Sequence, residues 1–339
     1  MKLFRRTAKI AAIAGSLALV LSGCTTIGGA ADAAEKDPVE KDLKEVVIGF
    51  AQRQVDAPYF AAMVQIAEDR AAAEGWEVRV QNADGDAVTQ IDQAQTLVSQ
   101  GIDVLVVDAM SPASQKVQFA DIANEVPLVF VDTGIDEVGV TTVQSDNYAI
   151  GKLSGGLTAE RVGSGKKITV AVLNGGPDDE VVGPQRQQGF LDGLEEGGVS
   201  YEIVAEQPAV YSQDRAVPAT ENILSAHPDV DLILGLNDSM ALGALTVLKD
   251  QGNTTTLVAA SADGQKEAIK IMQDEGCDAQ YVSTGLNSPE LAADEAFSIA
   301  LAIATGEAQA EDFEPVIHTK AVGINCDNAA EYYSPDSLF

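Results

Sequence analysis

"LILGLNDSMALGAL", Leu232–Leu245, is the stretch whose reading decides the fold. It opens as an aliphatic run fit for a buried strand, halts at Asn237-Asp238, and resumes at once with the helical spacing of Met240, Leu242 and Leu245. A strand that is apolar at nearly every position must be covered on both faces, which is the situation of a parallel sheet with helices above and below. Asn and Asp suit the junction, because their side-chain oxygens accept bonds from the free N–H groups of a first helical turn. Capping alone would account for a single junction of this kind, but the junction recurs.

From residue 45 onward the chain alternates strand-length apolar runs with helical spacing. The first set of runs is "EVVIGFA" (45–51), "WEVRVQ" (76–81), "DVLVVD" (103–108), "PLVFVD" (127–132) and "GVTTVQ" (139–144). The second is "KITVAVL" (167–173), "YEIVAE" (201–206), "VDLILGL" (230–236), "TTLVAAS" (255–261) and "AQYVSTG" (279–285). Stretches such as "YFAAMVQIAEDRAAAEG" intervene, and several end at a glycine (Gly75, Gly101, Gly252), as a helix C-terminus favours. Ten strands exceed one comfortable sheet, and the series breaks near "QSDNYAIGKLSGG". The expected fold is α/β, with two doubly wound parallel sheets in tandem.

The ends of the chain carry different information. "MKLFRRTAKI" is basic, and the apolar run behind it is too short to span a bilayer comfortably, which together describe a secretory leader. It closes on "LSGC", similar to a lipobox, so residues 1–23 are expected to be removed and Cys24 to carry lipid. Residues 24–44 read as a polar, Gly/Ala-rich tether. With 52 acidic against 21 basic residues the formal charge is −31, which repels nucleic acid and anionic lipid. Cys277 and Cys326 remain as an even pair in an oxidising compartment and are expected to be bonded. Two histidines and no metal-like spacing argue against zinc.

Ligand chemistry in doubly wound sheets gathers at the carboxyl ends of the strands. The residues there are Gln52, Arg53, Tyr59 and Phe60; Asp132; Arg186; Tyr211; Asn237 and Asp238; Asp263; and Asn287. Aromatic faces stack on carbohydrate C–H surfaces, while carboxylates, amides and guanidinium groups accept from and donate to hydroxyls. The set suits a small polyhydroxy molecule.

These motifs, in the order "PYF", "VDTG", "SDN", "RQQGF", "QPAVY", "AHPDVDLILGLNDSMALGAL" and "ADG", resemble the ribose-binding-protein family of type I periplasmic sugar receptors, which serve ABC importers. The resemblance covers residues 45–320 and implies two lobes joined by a three-crossing hinge. The expected lobes are 45–146 plus 286–314 and 147–285 plus 315–339, with crossings near Asn147, Gly285 and Pro315. By the same resemblance Tyr59 and Phe60 stack on the ligand, and Asp132 takes ring hydroxyls from the first lobe. Arg186, Tyr211, Asn237 and Asp263 act from the second, and Asp238 is left to cap its helix. Several positions depart from the ribose pattern: Thr133 follows Asp132, Ala262 precedes Asp263, Ala57 stands before Pro58, and the glutamine expected near Gly285 is missing. Arg53 or Gln52 and Asn287 are candidates to supply the missing donors.

The resulting expectation is a lipid-anchored extracytoplasmic receptor, monomeric and without cofactor. It captures a pentose, hexose or polyol and hands it to an ABC permease. A sensory receptor of the same fold is the alternative. An extracellular hydrolase fits poorly, since no nucleophile elbow occurs and the histidines supply no evident base. "VGSGKKIT" lacks the residues of a phosphate loop, and "NADGDA" those of a calcium loop.

Overall fold

The computed structural model of the chain describes residues 41–177, 179 and 181–339. The leader, the lipidation candidate Cys24 and most of the expected tether lie outside the described residues. The end of that tether is part of the folded body. The Lys41 backbone N–H donates to the Thr305 carbonyl at 3.2 Å, its ammonium lies 2.6 Å from Asp103, and Asp42 caps a 3-10 turn over Leu43–Glu45.

Strand and helix then alternate in chain order. The first half holds β1 (Val47–Gln52), α1 (Pro58–Glu74), β2 (Glu77–Asn82), α2 (Ala87–Ser99), β3 (Val104–Val107), α3 (Pro112–Ile122), β4 (Leu128–Val131) and β5 (Thr141–Gln144). Next come α4 (Asn147–Val162), β6 (Lys167–Asn174), α5 (Val182–Glu196), β7 (Ser200–Pro208), α6 (Gln213–Ala226), β8 (Leu232–Gly235), α7 (Asp238–Asp250), β9 (Leu257–Ala260) and α8 (Lys266–Glu275). The chain finishes with β10 (Ser283–Gly285), α9 (Pro289–Thr305), β11 (Val316–His318), β12 (Gly323–Asn325) and α10 (Ala329–Tyr332). All ten strands read from the apolar runs form; β11 and β12, three residues each, are too short to show a pattern.

The first sheet has the order β11-β5-β4-β3-β1-β2 and the second β7-β6-β8-β9, with every pairing parallel. Alternation along the strands sends Ile48, Phe50, Val104 and Val106 under α1 and α9, and Ala51, Leu105 and Val107 under α2 and α3. A separate core, mostly aliphatic with Phe190 and Tyr281, serves the second sheet.

Three segments pass between the halves: Ser145-Asp146, residues 286–288 and residues 319–322. They lie side by side. The Ser145 hydroxyl donates to Asn287 Oδ1 at 2.7 Å and meets the Thr319 hydroxyl at 3.0 Å, while the Leu286 N–H donates to the Val322 carbonyl at 2.8 Å. The third crossing lies beyond the expected Pro315, because β11 pairs with β5 and extends the first sheet. The C-terminus also departs from its expected second-lobe assignment. Phe339 is buried in the first core, its ring 5.6 Å from that of Tyr59. What could not be read locally was the return of a polar tail to a distant apolar site.

Inside the second half, α4 and α5 touch along glycines. A Cβ at Gly155 would stand 2.0 Å from the Phe190 carbonyl oxygen, and one at Gly189 would stand 2.1 Å from that of Tyr148. This close approach presses the first turn of α5, with Arg186, against Asn147 at the start of α4.

Candidate ligand-binding site

The order of the first sheet reverses between β1 and β3, whose following helices leave on opposite faces; the second sheet reverses between β6 and β8. Such a reversal opens a crevice beyond the strand ends, the usual ligand position in open α/β sheets. Gln52 ends β1, Arg53 and Asp108 follow β1 and β3, and Asn237 lies just beyond β8. The buried Gln90 side chain of α2 binds the Ala51 carbonyl at 3.1 Å and that of Asp108 at 2.7 Å, lacing the first pair of tips together.

At the centre stands Arg186, only 5% exposed. Its Nε donates to Asn147 Oδ1 at 2.9 Å, and one terminal nitrogen reaches the Leu236 carbonyl at 3.3 Å and Asp263 Oδ1 at 3.4 Å. Its guanidinium carbon lies 5.9 Å from the centre of the Tyr211 ring, whose hydroxyl donates to Asp179. Asp263 in turn accepts from Asn287 Nδ2 at 3.3 Å, and Asn287 Oδ1 accepts from the Tyr59 hydroxyl at 3.2 Å. One hydrogen-bonded chain thus runs from the first-lobe aromatic to the second-lobe arginine, through the hinge. Burial pushes the Asp263 carboxyl up, while Arg186 and the Asn287 and Asn237 amides pull it down.

Three of the expected residues sit on unusual backbone: Asp132 at φ 60°, Tyr211 at φ 58° and Asp263 at φ 146°. Non-glycine residues rarely adopt these conformations, and their clustering at strand ends points to a functional constraint. Asp132 is half-buried and lies near enough for its charge to act on Tyr59, Arg186 and Asp263.

The aromatic pair is arranged differently from two stacking platforms. Tyr59 is buried, edge-on to Phe60 at 89° and to Phe339 at 85°, and contributes its hydroxyl more than a face. Phe60 is half-buried, with the Arg53 guanidinium carbon 5.4 Å from its ring centre.

The capping expected of Asp238 needs correcting. Asn237 is the cap, its Oδ1 accepting from Met240 N at 2.9 Å. Asp238 is fully buried and accepts from Gly264 N at 2.7 Å, Gln265 N at 2.6 Å and the Tyr281 hydroxyl at 2.5 Å. It therefore anchors the loop that carries Asp263. Which neighbour caps depends on backbone N–H groups contributed by a distant loop.

Burial, reinforced by the Asp263 charge, pushes Asp238 up to about 7. A folded-state pKa above the unfolded value of about 4 means the fold holds the proton more tightly. This group's stabilising contribution is thus complete below about pH 4 and is lost as the pH rises towards 7. Asp238→Asn should lose less stability than wild type between pH 5 and pH 8 in urea unfolding, whatever its absolute stability. Parallel pH profiles for the two proteins would contradict this.

Sequence reading missed Asp108, Asn147, Gln90 and Asp179. Asp108 ends "DVLVVD" as Asp132 ends "PLVFVD", so an acid closing an apolar strand was available as a signal. Asn147 stands in the "SDN" motif but reads there only as a crossing, and Gln90 gives no signal, since their importance lies in the partners the fold brings to them.

A family model described as a periplasmic binding protein domain matches residues 48–308. The chain belongs to that family. It is a solute-binding receptor and not an enzyme. The receptor is 29% identical over 251 residues to the ribose import binding protein of Bacillus subtilis (strain 168), covering 73% of this chain and 78% of the relative. It is 26% identical over 308 residues to the xylitol-binding protein of Mycolicibacterium smegmatis, covering 89% and 82%. The Caulobacter myo-inositol binding protein, solved with myo-inositol bound, superposes with a TM-score of 0.73 at 28% identity, covering 86% of the receptor and 97% of that chain.

Proposed function

We propose that this receptor captures a small sugar or polyol between its two sheets and delivers it to an ABC importer. In this reading it is a monomer, held outside the cell membrane by lipid on Cys24 after cleavage of the leader. The observation that carries the ligand class is the convergence of Arg186, Asp263, Asn287 and Tyr59 in one hydrogen-bonded chain beside the crossings. Buried hydrogen bonds to charged groups contribute about 1.5–3 kcal/mol each, so about five or six of them, less the entropy lost on association, give micromolar binding. The relatives that bind ribose, xylitol and myo-inositol share this chemistry of neighbouring hydroxyls on a small carbon frame. Phe60 and Tyr211 supply the apolar contacts, while Arg53, Asn237 and Asn287 supply amide and guanidinium donors. Closure about the three adjacent crossings follows from the ligand's joint contacts to both halves.

Thermal shift across D-ribose, D-apiose, xylitol, D-allose and myo-inositol tests the ligand class. A true ligand at a hundred times its dissociation constant stabilises by about 2.7 kcal/mol. Shifts with amino acids or peptides instead would reject it. Mass spectrometry of the secreted protein should find a chain beginning at acylated Cys24, and light scattering a single protomer.

A further inference from the structure

Resting on the ligand-binding reading above, we infer that Asp108 is a specificity-determining contact. It takes a hydroxyl pair of a neutral polyhydroxy ligand at the floor of the first-lobe crevice. Asp108 is fully buried, and neither of its carboxylate oxygens makes a hydrogen bond among the described residues. The nearby Thr133 N–H is committed to the Val131 carbonyl at 2.7 Å. Leaving a buried polar group unsatisfied costs about 1–3 kcal/mol, and more for a charged one. A protein that tolerates this at a strand end, in the crevice of a sheet reversal, is equipped for a partner from outside the chain.

The neighbourhood defines that partner. Ala51 pairs with Val107, so Gln52 and Asp108 stand next in register, on the face that also receives Phe50, Val106 and Tyr59. Gln52 Nε2 and Arg53 Nε are likewise buried without a partner among the described residues. Gln52 Oε1 is occupied by the Arg53 backbone N–H at 2.6 Å, which leaves its NH₂ as the free end. A carboxyl group beside amide and guanidinium donors matches vicinal hydroxyls, each of which donates once and accepts.

The carboxyl groups disfavour anionic ligands. Among the described residues, Asp108, Asp132 and Asp263 face Arg53 and Arg186, and Arg186 is already paired with Asp263. A sugar acid or sugar phosphate would bring a further anion to a floor rich in carboxyl groups, whereas a neutral polyol brings none.

The test uses Asp108→Asn and Asp108→Ala in the full chain, titrated calorimetrically with whichever of D-ribose, xylitol and myo-inositol binds wild type most tightly. Both variants should lose at least about tenfold in affinity while the ligand-free melting temperature holds or rises. One monodeoxy analogue of that probe should bind wild type about tenfold more weakly than its parent, yet bind Asp108→Ala as well as the parent does. Affinity within twofold of wild type in both variants overturns the assignment of Asp108 and leaves the site reading standing. A drop of many degrees in both ligand-free variants overturns it too, since Asp108 would then be structural. Tighter binding of D-gluconate than of any polyol overturns the neutral class. Silence of wild type across all three probes overturns the site reading itself, and this inference with it.

Discussion

Arg186→Ala should lower ligand affinity about 100-fold or more and also destabilise the ligand-free protein. Truncating one partner of a buried, hydrogen-bonded charge pair costs about 2–5 kcal/mol, largely because the other charge is left unpaired. Here Arg186 satisfies Asp263, Asn147 and the Leu236 carbonyl together, so its removal strands three acceptors at the centre of the site. Lysine should not rescue it, because a single ammonium cannot reproduce the planar fork that serves all three. The double variant Arg186→Ala/Asp263→Asn should recover part of the lost stability, since no buried anion remains, yet stay unable to bind. Calorimetric titration with a ligand of the wild-type protein, alongside urea unfolding, separates the two effects. Arg186→Ala with affinity within tenfold of wild type would remove Arg186 from the ligand contacts.

The second large effect concerns the cysteines. The sulfurs of Cys277 and Cys326 meet with their Cα atoms 5.1 Å apart, inside the range a disulfide requires. Their separation of 49 residues closes a long loop, for which chain entropy gives stabilisation of about 4 kcal/mol. Replacing both by serine should lower unfolding stability by about 2–4 kcal/mol with little change in ligand affinity, because the pair lies at the far end of α8 from the site. Equal urea midpoints with and without reductant in the wild-type protein would show that the bond contributes nothing.

Much of the site was legible because it sits at recognisable junctions. An apolar run that stops at a polar residue marks a strand end, and Asp132, Asn237 and Asp263 each stand at such a stop. The structure brings Arg186, Tyr211 and Asp263 together, and Asn287, the candidate replacement donor, reaches Asp263. Tyr59 was legible as a site residue but not in its part. Its ring is enclosed by Phe60 and by Phe339, a residue 280 positions later in the chain.

The class of fold, and the edge of each sheet where chemistry collects, are already written in the order of residues. Both follow from local patterns, since a strand buried on two faces must be apolar at successive positions and a helix on one face must not. Only the tertiary structure decided which of Asn237 and Asp238 caps a helix and which anchors the Asp263 loop. It alone decided that β11 and Phe339 return to the first half and that Asp108 is buried without a partner. The reason is common to all of these. A side chain's role at such places is set by the hydrogen-bonding groups and apolar surfaces that other segments bring to it, and no stretch of neighbouring residues encodes those meetings.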